Sequence, residues 1–246
     1  MESRIWISTT TYSKAYLAVA WERRKQLKDY EARGFAHFVY LTLSAHLEAV
    51  FAELLRQRYF SVRGMVRWES LPPIQFTQGE QKHLCDLKPV YQSIIRVVEA
   101  LDEETHTATL TKLIERYNVL FSPSVREIVG KELHEDLLAL ASLRNLFAHG
   151  RDFFLEFETP LSTARMSLDS NPIQSAASRL HAAGILKDLK ITGQTHDDFQ
   201  SSFFADEALF YFYRAVDQIE QRLLDNVTFL PEKSMRTVSK LPKLQA

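Results

Sequence analysis

Residues 35–58 read FAHFVYLTLSAHLEAVFAELLRQR and decide the fold of this chain. The stretch contains no proline and no glycine, so nothing in it interrupts a helix. A helix that is apolar all round is buried between neighbouring elements rather than laid on a surface. The stretch therefore predicts a core helix, because its apolar residues cover almost every side: Phe38, Val39, Leu41, Leu43, Leu47, Val50, Phe51, Leu54 and Leu55.

Helical composition and periodicity continue on both sides of this core helix. Residues 11–33 predict a preceding helix that ends at Gly34. Residues 61–79 contain two prolines and predict a connection, and Ser122-Pro123-Ser124 gives a helix-start signal. Further helices are predicted from apolar spacing and flanking signals at 88–101, 110–120, 132–149, 172–183 and 206–225.

A small β excursion is predicted after the helix at 132–149. Apolar and polar residues alternate in 151–158, which is typical of a strand, and we expect it to pair with 164–168 as a hairpin. The chain has 7 glycines in 246 residues, under half the usual share of roughly 7 %. Barrels, sandwiches and Gly-rich phosphate loops are therefore disfavoured. The expected fold is all-α: a helical bundle with extra helices and a small β-hairpin.

The chain is expected to form one helical domain at 1–230, followed by a basic tail at 231–246. The tail is interpreted as a disordered terminus, with a flexible phosphate contact as the alternative. Thirty Lys and Arg against 31 Asp and Glu give a net charge of −1, so a nucleic acid would have to be held by a local patch. No long apolar run or signal-peptide pattern is present, so we expect a cytoplasmic protein without a membrane partner.

Several chemistries lack the local motif that they need. The sequence contains no Gly-x-x-x-x-Gly-Lys-Ser/Thr, His-Glu-x-x-His or Gly-x-Ser-x-Gly. Cys85 is the single cysteine, which excludes an internal disulfide and a multi-thiolate metal site. His46-Leu47-Glu48 has the spacing of zinc deaminases, but their Pro-Cys-x-x-Cys partner is absent. We therefore expect no metal and no cofactor.

One constellation lies at the end of the predicted helix 132–149, where the sequence reads LRNLFAHG. Asn145 and His149 are four residues apart and share one face, and Gly150 ends the helix beside His149. A guanidinium on an apolar stripe is costly unless a carboxylate, a phosphate or a partner chain receives it. Arg144 falls inside such a stripe, formed by Leu133, Leu137, Leu140 and Phe147.

Each member of the constellation also has a structural interpretation. Arg144 would pair with a carboxylate such as Glu48 or Asp136, His149 would cap the helix, and Asn145 would form hydrogen bonds on the helix face. The combination on one helix end favours a functional site over three separate structural roles.

Arg144-Asn145, three further residues and His149-Gly150 resemble the signature of HEPN domains. In that family an Arg and a polar residue precede, by a short spacer, a His near a helix end. The upstream segment SAHLEAVF, which contains Glu48, is similar to the family's earlier core helix, where an acidic residue often occurs. The motif match covers about 30 residues, whereas the all-α prediction extends over the whole chain.

The resemblance implies a four- or five-helix bundle that forms a homodimer, with the motif residues of both copies lining one cleft. It implies a metal-independent endoribonuclease whose substrate is RNA. Arg144 would hold the scissile phosphate, His149 would move protons, and Asn145 would orient His149 or the phosphate, with Glu48 and Arg151 in supporting positions. His titrates near neutrality and Arg binds phosphate as a fork, so the chemistry requires no metal.

A toxin or phage-defence role follows from the same resemblance, with an antitoxin or defence protein as a further partner. Some toxin members carry a Tyr two residues after the His, where an antitoxin adenylylates it. This chain has Arg151 at that position, which puts silencing by that route in doubt and adds a cation. The alternative is a non-catalytic HEPN-like module that binds RNA or assembles with a protein.

Overall fold

The computed structural model describes residues 9–24, 26–66, 78–105, 107–148, 165–166, 173–187, 189, 191–192 and 196–226. Helices dominate this part of the chain, which confirms the predicted all-α class. The helices are α1 (Thr9–Arg24), α2 (Asp29–Val66), α3 (Gln78–Thr105), α4 (Leu110–Leu120), α5 (Val125–Val129), α6 (Lys131–Ala148), α7 (Gln174–Ala182), α8 (His196–Phe203) and α9 (Asp206–Asn226). The strands are β1 (Arg165–Met166) and β2 (Ile191–Thr192).

Helix α2 is the central element, as its sequence predicts. It packs against α1, α3, α4, α6 and α9, which explains why apolar residues occur on nearly all of its sides. Its fully buried side chains include Leu43, Leu47, Phe51 and Leu54, whereas Phe38 is 41 % exposed. One hydrophobic cluster runs through the described helices from Leu17 in α1 to Leu224 in α9.

The same helix has a segment, Glu31–Tyr59, that is long and apolar enough to cross a membrane by length and composition. Most of the apolar part of this segment is buried inside the bundle. Burial against five other helices accounts for that apolar character.

The predicted helix end at Gly34 is wrong. Helix α2 begins at Asp29 and continues through Gly34, where an added Cβ would meet nothing within 4 Å. The break lies after Arg24, which is buried, donates from Nη2 to the carbonyl oxygen of Phe204 at 3.1 Å and pairs with Asp206. A glycine costs a helix interior only about 1 kcal/mol, so the packing of α2 and the contacts of Arg24 decide the boundary.

Both ends of the predicted connection at 61–79 are helical instead, because α2 extends to Val66 and α3 begins at Gln78; residues 67–77 lie outside the described residues. The predicted helix at 110–120 coincides with α4. The helix-start signal is confirmed: Ser124 and Glu127 form a capping box at the start of α5. Helix α8 was not predicted.

The described β structure differs from the predicted hairpin. Arg165 and Met166 lie within the predicted strand 164–168, but they pair antiparallel with Thr192 and Ile191, on the other side of α7 in sequence. This pairing is non-local, so no turn motif signals it. Residues 151–158 lie outside the described residues, as does the tail at 231–246.

Candidate functional site

The two segments that resemble HEPN domains meet where α6 packs on α2. Ser44 is buried and donates from Oγ to the carbonyl oxygen of Leu140 at 3.3 Å. One turn further along both helices, Arg144 Nε lies 3.1 Å from Glu48 Oε1. The spacing of four residues on each helix places both contacts on the same helix–helix seam.

Glu48 connects three helices through one carboxylate. Its Oε1 atom also accepts a hydrogen bond from the backbone N–H of Leu110 at 3.2 Å, in the first turn of α4. That N–H has no acceptor within the helix, so Glu48 satisfies it. Burial raises the pKa of the Glu48 carboxyl, whereas the charge of Arg144 and the N–H of Leu110 act in the opposite direction.

Arg144 is held at one nitrogen and is 28 % exposed. Among the described residues, its Nη1 and Nη2 atoms donate no hydrogen bond. Leu137 and Leu140 of the predicted stripe are fully buried, which confirms that Arg144 lies on the apolar side of α6. The ion pair with Glu48 is one of the two expected from the sequence, and the guanidinium keeps donors for a second anion.

Asn145 is exposed and lies on the outer side of α6, the side of the 39 % exposed Leu138. It is about 100° around the helix from Arg144, so the structure does not bring it to Glu48. The predicted catalytic His149, together with Gly150 and Arg151, lies outside the described residues. Helix α6 is described as far as Ala148, the residue before His149.

An aromatic contact supports this end of α6. The ring of Phe147 stacks on His37 of α2, with centroids 4.4 Å apart and an interplanar angle of 28°. Phe204 also packs edge-on against His37, with ring centroids 4.7 Å apart. Burial lowers the pKa of His37, and its buried Nε2 atom has no hydrogen-bond partner. His37 is therefore a half-buried histidine whose ring packs against the end of α6.

His46 and Glu48 have different partners despite their deaminase-like spacing. The fully buried His46 places Nε2 3.1 Å from Oε2 of Glu220 on α9, whereas Glu48 faces Arg144 and Leu110. Within the described ranges, no group of three or more His, Cys, Asp or Glu side chains is placed to hold a metal ion.

The opposite end of α6 carries a second polar site that the sequence analysis missed. Arg179 of α7 donates from Nε to Asp136 at 2.6 Å, from Nη1 to Glu135 at 3.0 Å and from Nη2 to Tyr211 at 3.3 Å. Tyr211 donates to the same Asp136 oxygen at 2.8 Å. The Asp136 partner proposed for Arg144 is thus wrong, because Arg179 occupies it.

A pocket of about 480 Å³ opens beside this network. It lies between the start of α6 and one face of α9, and it is lined by Lys131, Glu132, Asp136, Arg179, Arg214 and Arg222 among others. The signal in the sequence was the spacing of Tyr211, Arg214, Gln218 and Arg222, a polar face on a helix whose other face is apolar.

No family model, curated protein or solved structure matches the chain significantly. The resemblance to HEPN domains therefore rests on the motif residues themselves.

Proposed function

We propose that the chain is a metal-independent endoribonuclease of HEPN type that acts in a toxin or phage-defence role. The observation that carries the proposal is the contact between Glu48 and Arg144, because it joins the two segments on which the resemblance depends. If these two short motifs matched by chance, there would be no reason for them to contact each other between α2 and α6, since they lie far apart in sequence.

The geometry at Arg144 supports a phosphate clamp. Glu48 pairs with the guanidinium at Nε, and Nη1 and Nη2 donate no hydrogen bond within the described residues. These two donors match two phosphate oxygens. A preorganised donor of this kind stabilises the negative charge that develops on a phosphorane. Glu48 acts on the substrate only through Arg144, so it is a positioning residue.

His149 supplies the proton transfers in this proposal. One imidazole takes the proton of the ribose 2′-OH as the 2′-oxygen attacks phosphorus, and an imidazolium gives a proton to the departing 5′-oxygen. The 2′-O–P bond forms and the P–O5′ bond breaks, which leaves a 2′,3′-cyclic phosphate and a 5′-hydroxyl. RNA contains its own nucleophile, so the chain needs only these groups and the clamp. Asn145 would orient His149 or the phosphate, and Arg151 would support the site with a second cation.

A homodimer belongs to the same proposal, because two copies of the motif would then supply both the acid and the base. The exposed Leu138 and Asn145 lie on the outer side of α6, where a second copy has room to approach. Light scattering at micromolar concentration is expected to give the dimer mass. A monomer mass would remove the shared site.

Cleavage of a labelled single-stranded RNA in excess EDTA tests the activity. We expect cyclic phosphate ends, and we expect no cleavage of a substrate with 2′-deoxyribose at the scissile position. Arg144→Ala and His149→Ala are each expected to lower the rate about 10²-fold or more. The matched control is Arg116→Ala, which also removes an arginine paired with a glutamate. A requirement for Mg²⁺, or full activity of His149→Ala, would overturn the assignment.

A non-catalytic module that binds RNA or a protein is the second candidate. The observation that favours it is again the Glu48 contact, because a partly buried partner gives Arg144 a structural role without any chemistry. Retained RNA binding with no cleavage in any of these reactions would support this candidate.

A further inference from the structure

We propose that the pocket between the start of α6 and α9 binds the phosphate group of a small phosphate ester. This inference goes beyond the proposed ribonuclease. The pocket begins at Lys131, thirteen residues before Arg144, which corresponds to about 20 Å along one helix. It therefore lies at the opposite end of α6 from the HEPN-like motif.

The charges on the pocket walls favour an anion. Four of its lining residues are cationic, namely Lys131, Arg179, Arg214 and Arg222, against the two acids Glu132 and Asp136. The charge of Arg179 is already met by Asp136 and Glu135. Lys131 lies 3.9 Å from Glu135, which partly meets its charge. Arg214 and Arg222 therefore provide most of the attraction for an anionic ligand, and Glu132 opposes them.

Arg214 is the group with unused hydrogen-bonding capacity. It is exposed on α9, lines the pocket, and forms no hydrogen bond or ion pair within the described part of the chain. Gln218, one turn further on the same face, adds an amide that donates hydrogen bonds without bringing charge. A phosphate between α9 and α6 would receive donors from both side chains.

Two sets of contacts fix the helices around Arg214, so the pocket walls need little rearrangement on binding. Arg222 donates from Nη1 to the carbonyl oxygen of Val129 at 2.6 Å and so ties α9 to the turn before α6. Gly130 forms that turn with φ of 83°, and an added Cβ would lie 3.5 Å from the same Nη1 atom. Arg179 ties α7 to α6 on the other side.

The first turn of α6 adds to the attraction. Its leading N–H groups have no acceptor within the helix, and the helix dipole places partial positive charge there. Gly130 and residues 131–133 line the pocket. This contribution supports the arginines and does not stand alone.

The size and the apolar lining favour an ester over a free phosphate ion. A volume of about 480 Å³ lies in the usual range of small-molecule sites, roughly 300–1,000 Å³. Val129, Leu133 and Ala215 contribute apolar surface next to the cations. An organic group can occupy that part while its phosphate meets Arg214.

Binding to the full-length protein tests the proposal, by titration calorimetry and thermal shift at constant ionic strength. The probes are ribose 5-phosphate, glycerol 3-phosphate and AMP, each paired with its counterpart that lacks the phosphate, together with inorganic phosphate and a short RNA. At least one ester is expected to bind saturably, more tightly than its counterpart and than inorganic phosphate.

Arg214→Gln is expected to weaken that binding about tenfold or more, since it removes a charge-assisted hydrogen bond. Arg23→Gln removes an exposed arginine from α1, outside the pocket, and is the matched control. The proposal would be overturned if the two variants had equal effects, or if no ester bound more tightly than inorganic phosphate. It would also be overturned if RNA were the only probe whose binding depended on Arg214.

Discussion

An arginine is paired with acidic side chains near each end of α6, and the two arginines differ in how many of their nitrogens are engaged. Arg179, near the start of the helix, bonds two carboxylates and a tyrosine and is 17 % exposed. Arg144, near the end, pairs with Glu48 through one nitrogen and is 28 % exposed. Both arginines join helices, but all three nitrogens of Arg179 form hydrogen bonds, whereas Nη1 and Nη2 of Arg144 form none within the described residues and keep hydrogen-bonding capacity for a ligand.

The largest expected effect tests the structural end of this comparison. Arg179→Ala leaves the buried Asp136 without its cation, and breaking a buried pair typically costs about 3–5 kcal/mol. The free energy of unfolding, from urea denaturation monitored by circular dichroism, is expected to fall by that amount. A loss below about 1 kcal/mol would show that the network adds little to the fold.

The second prediction concerns the other arginine. A double-mutant cycle of Arg144→Ala and Glu48→Gln is expected to give a coupling free energy of about 1 kcal/mol or less, because the pair is partly exposed. The same cycle with Arg179→Ala and Asp136→Asn serves as the control and is expected to give a larger value. Equal couplings would contradict the distinction between a structural and a ligand-binding arginine.

The smallest effect concerns pH and the support of Phe147 by His37. Burial lowers the pKa of His37 from 6.5 in the folded state. The unfolded chain therefore binds the proton first, and stability is lost as the pH falls below 6.5. His37→Phe keeps an aromatic ring against Phe147 and removes this contribution.

Urea denaturation at pH 7 and pH 5 measures the effect of His37. The free energy of unfolding of His37→Phe, relative to the wild type, is expected to rise at the lower pH. A difference that does not change with pH would show that His37 is protonated without cost in the folded state.

Local sequence signals predicted the helices well where the capping residues and the apolar spacing give the same boundaries as the packing. The capping box of Ser124 and the periodicity of 110–120 and 206–225 correspond to observed elements. Gly34 shows the limit of such signals, since its small helix penalty is outweighed by the burial of the residues that follow it. The pairing of Met166 with Ile191 was not predicted, because the two residues are far apart in sequence.

The candidate site was predictable in part. The sequence indicated Arg144 as a cation on an apolar face and named Glu48 among its two expected partners. The sequence could not show which of the two carboxylates, Glu48 or Asp136, pairs with Arg144. Asp136 is bound by Arg179 of α7 in the folded chain, and no local pattern indicates that contact. The pocket beside Arg214 was missed for the same reason: its walls come from α5, α6, α7 and α9.

The sequence by itself determined the all-α class, the central position of α2 and the residues that resemble the HEPN signature. Apolar periodicity and capping act over a few residues, so they can be read along the chain. The tertiary structure alone decided which carboxylate each arginine meets, where α1 ends, and that a cationic pocket forms at the start of α6. These features depend on ion pairs and burial between helices distant in sequence, whose relative positions no local pattern specifies.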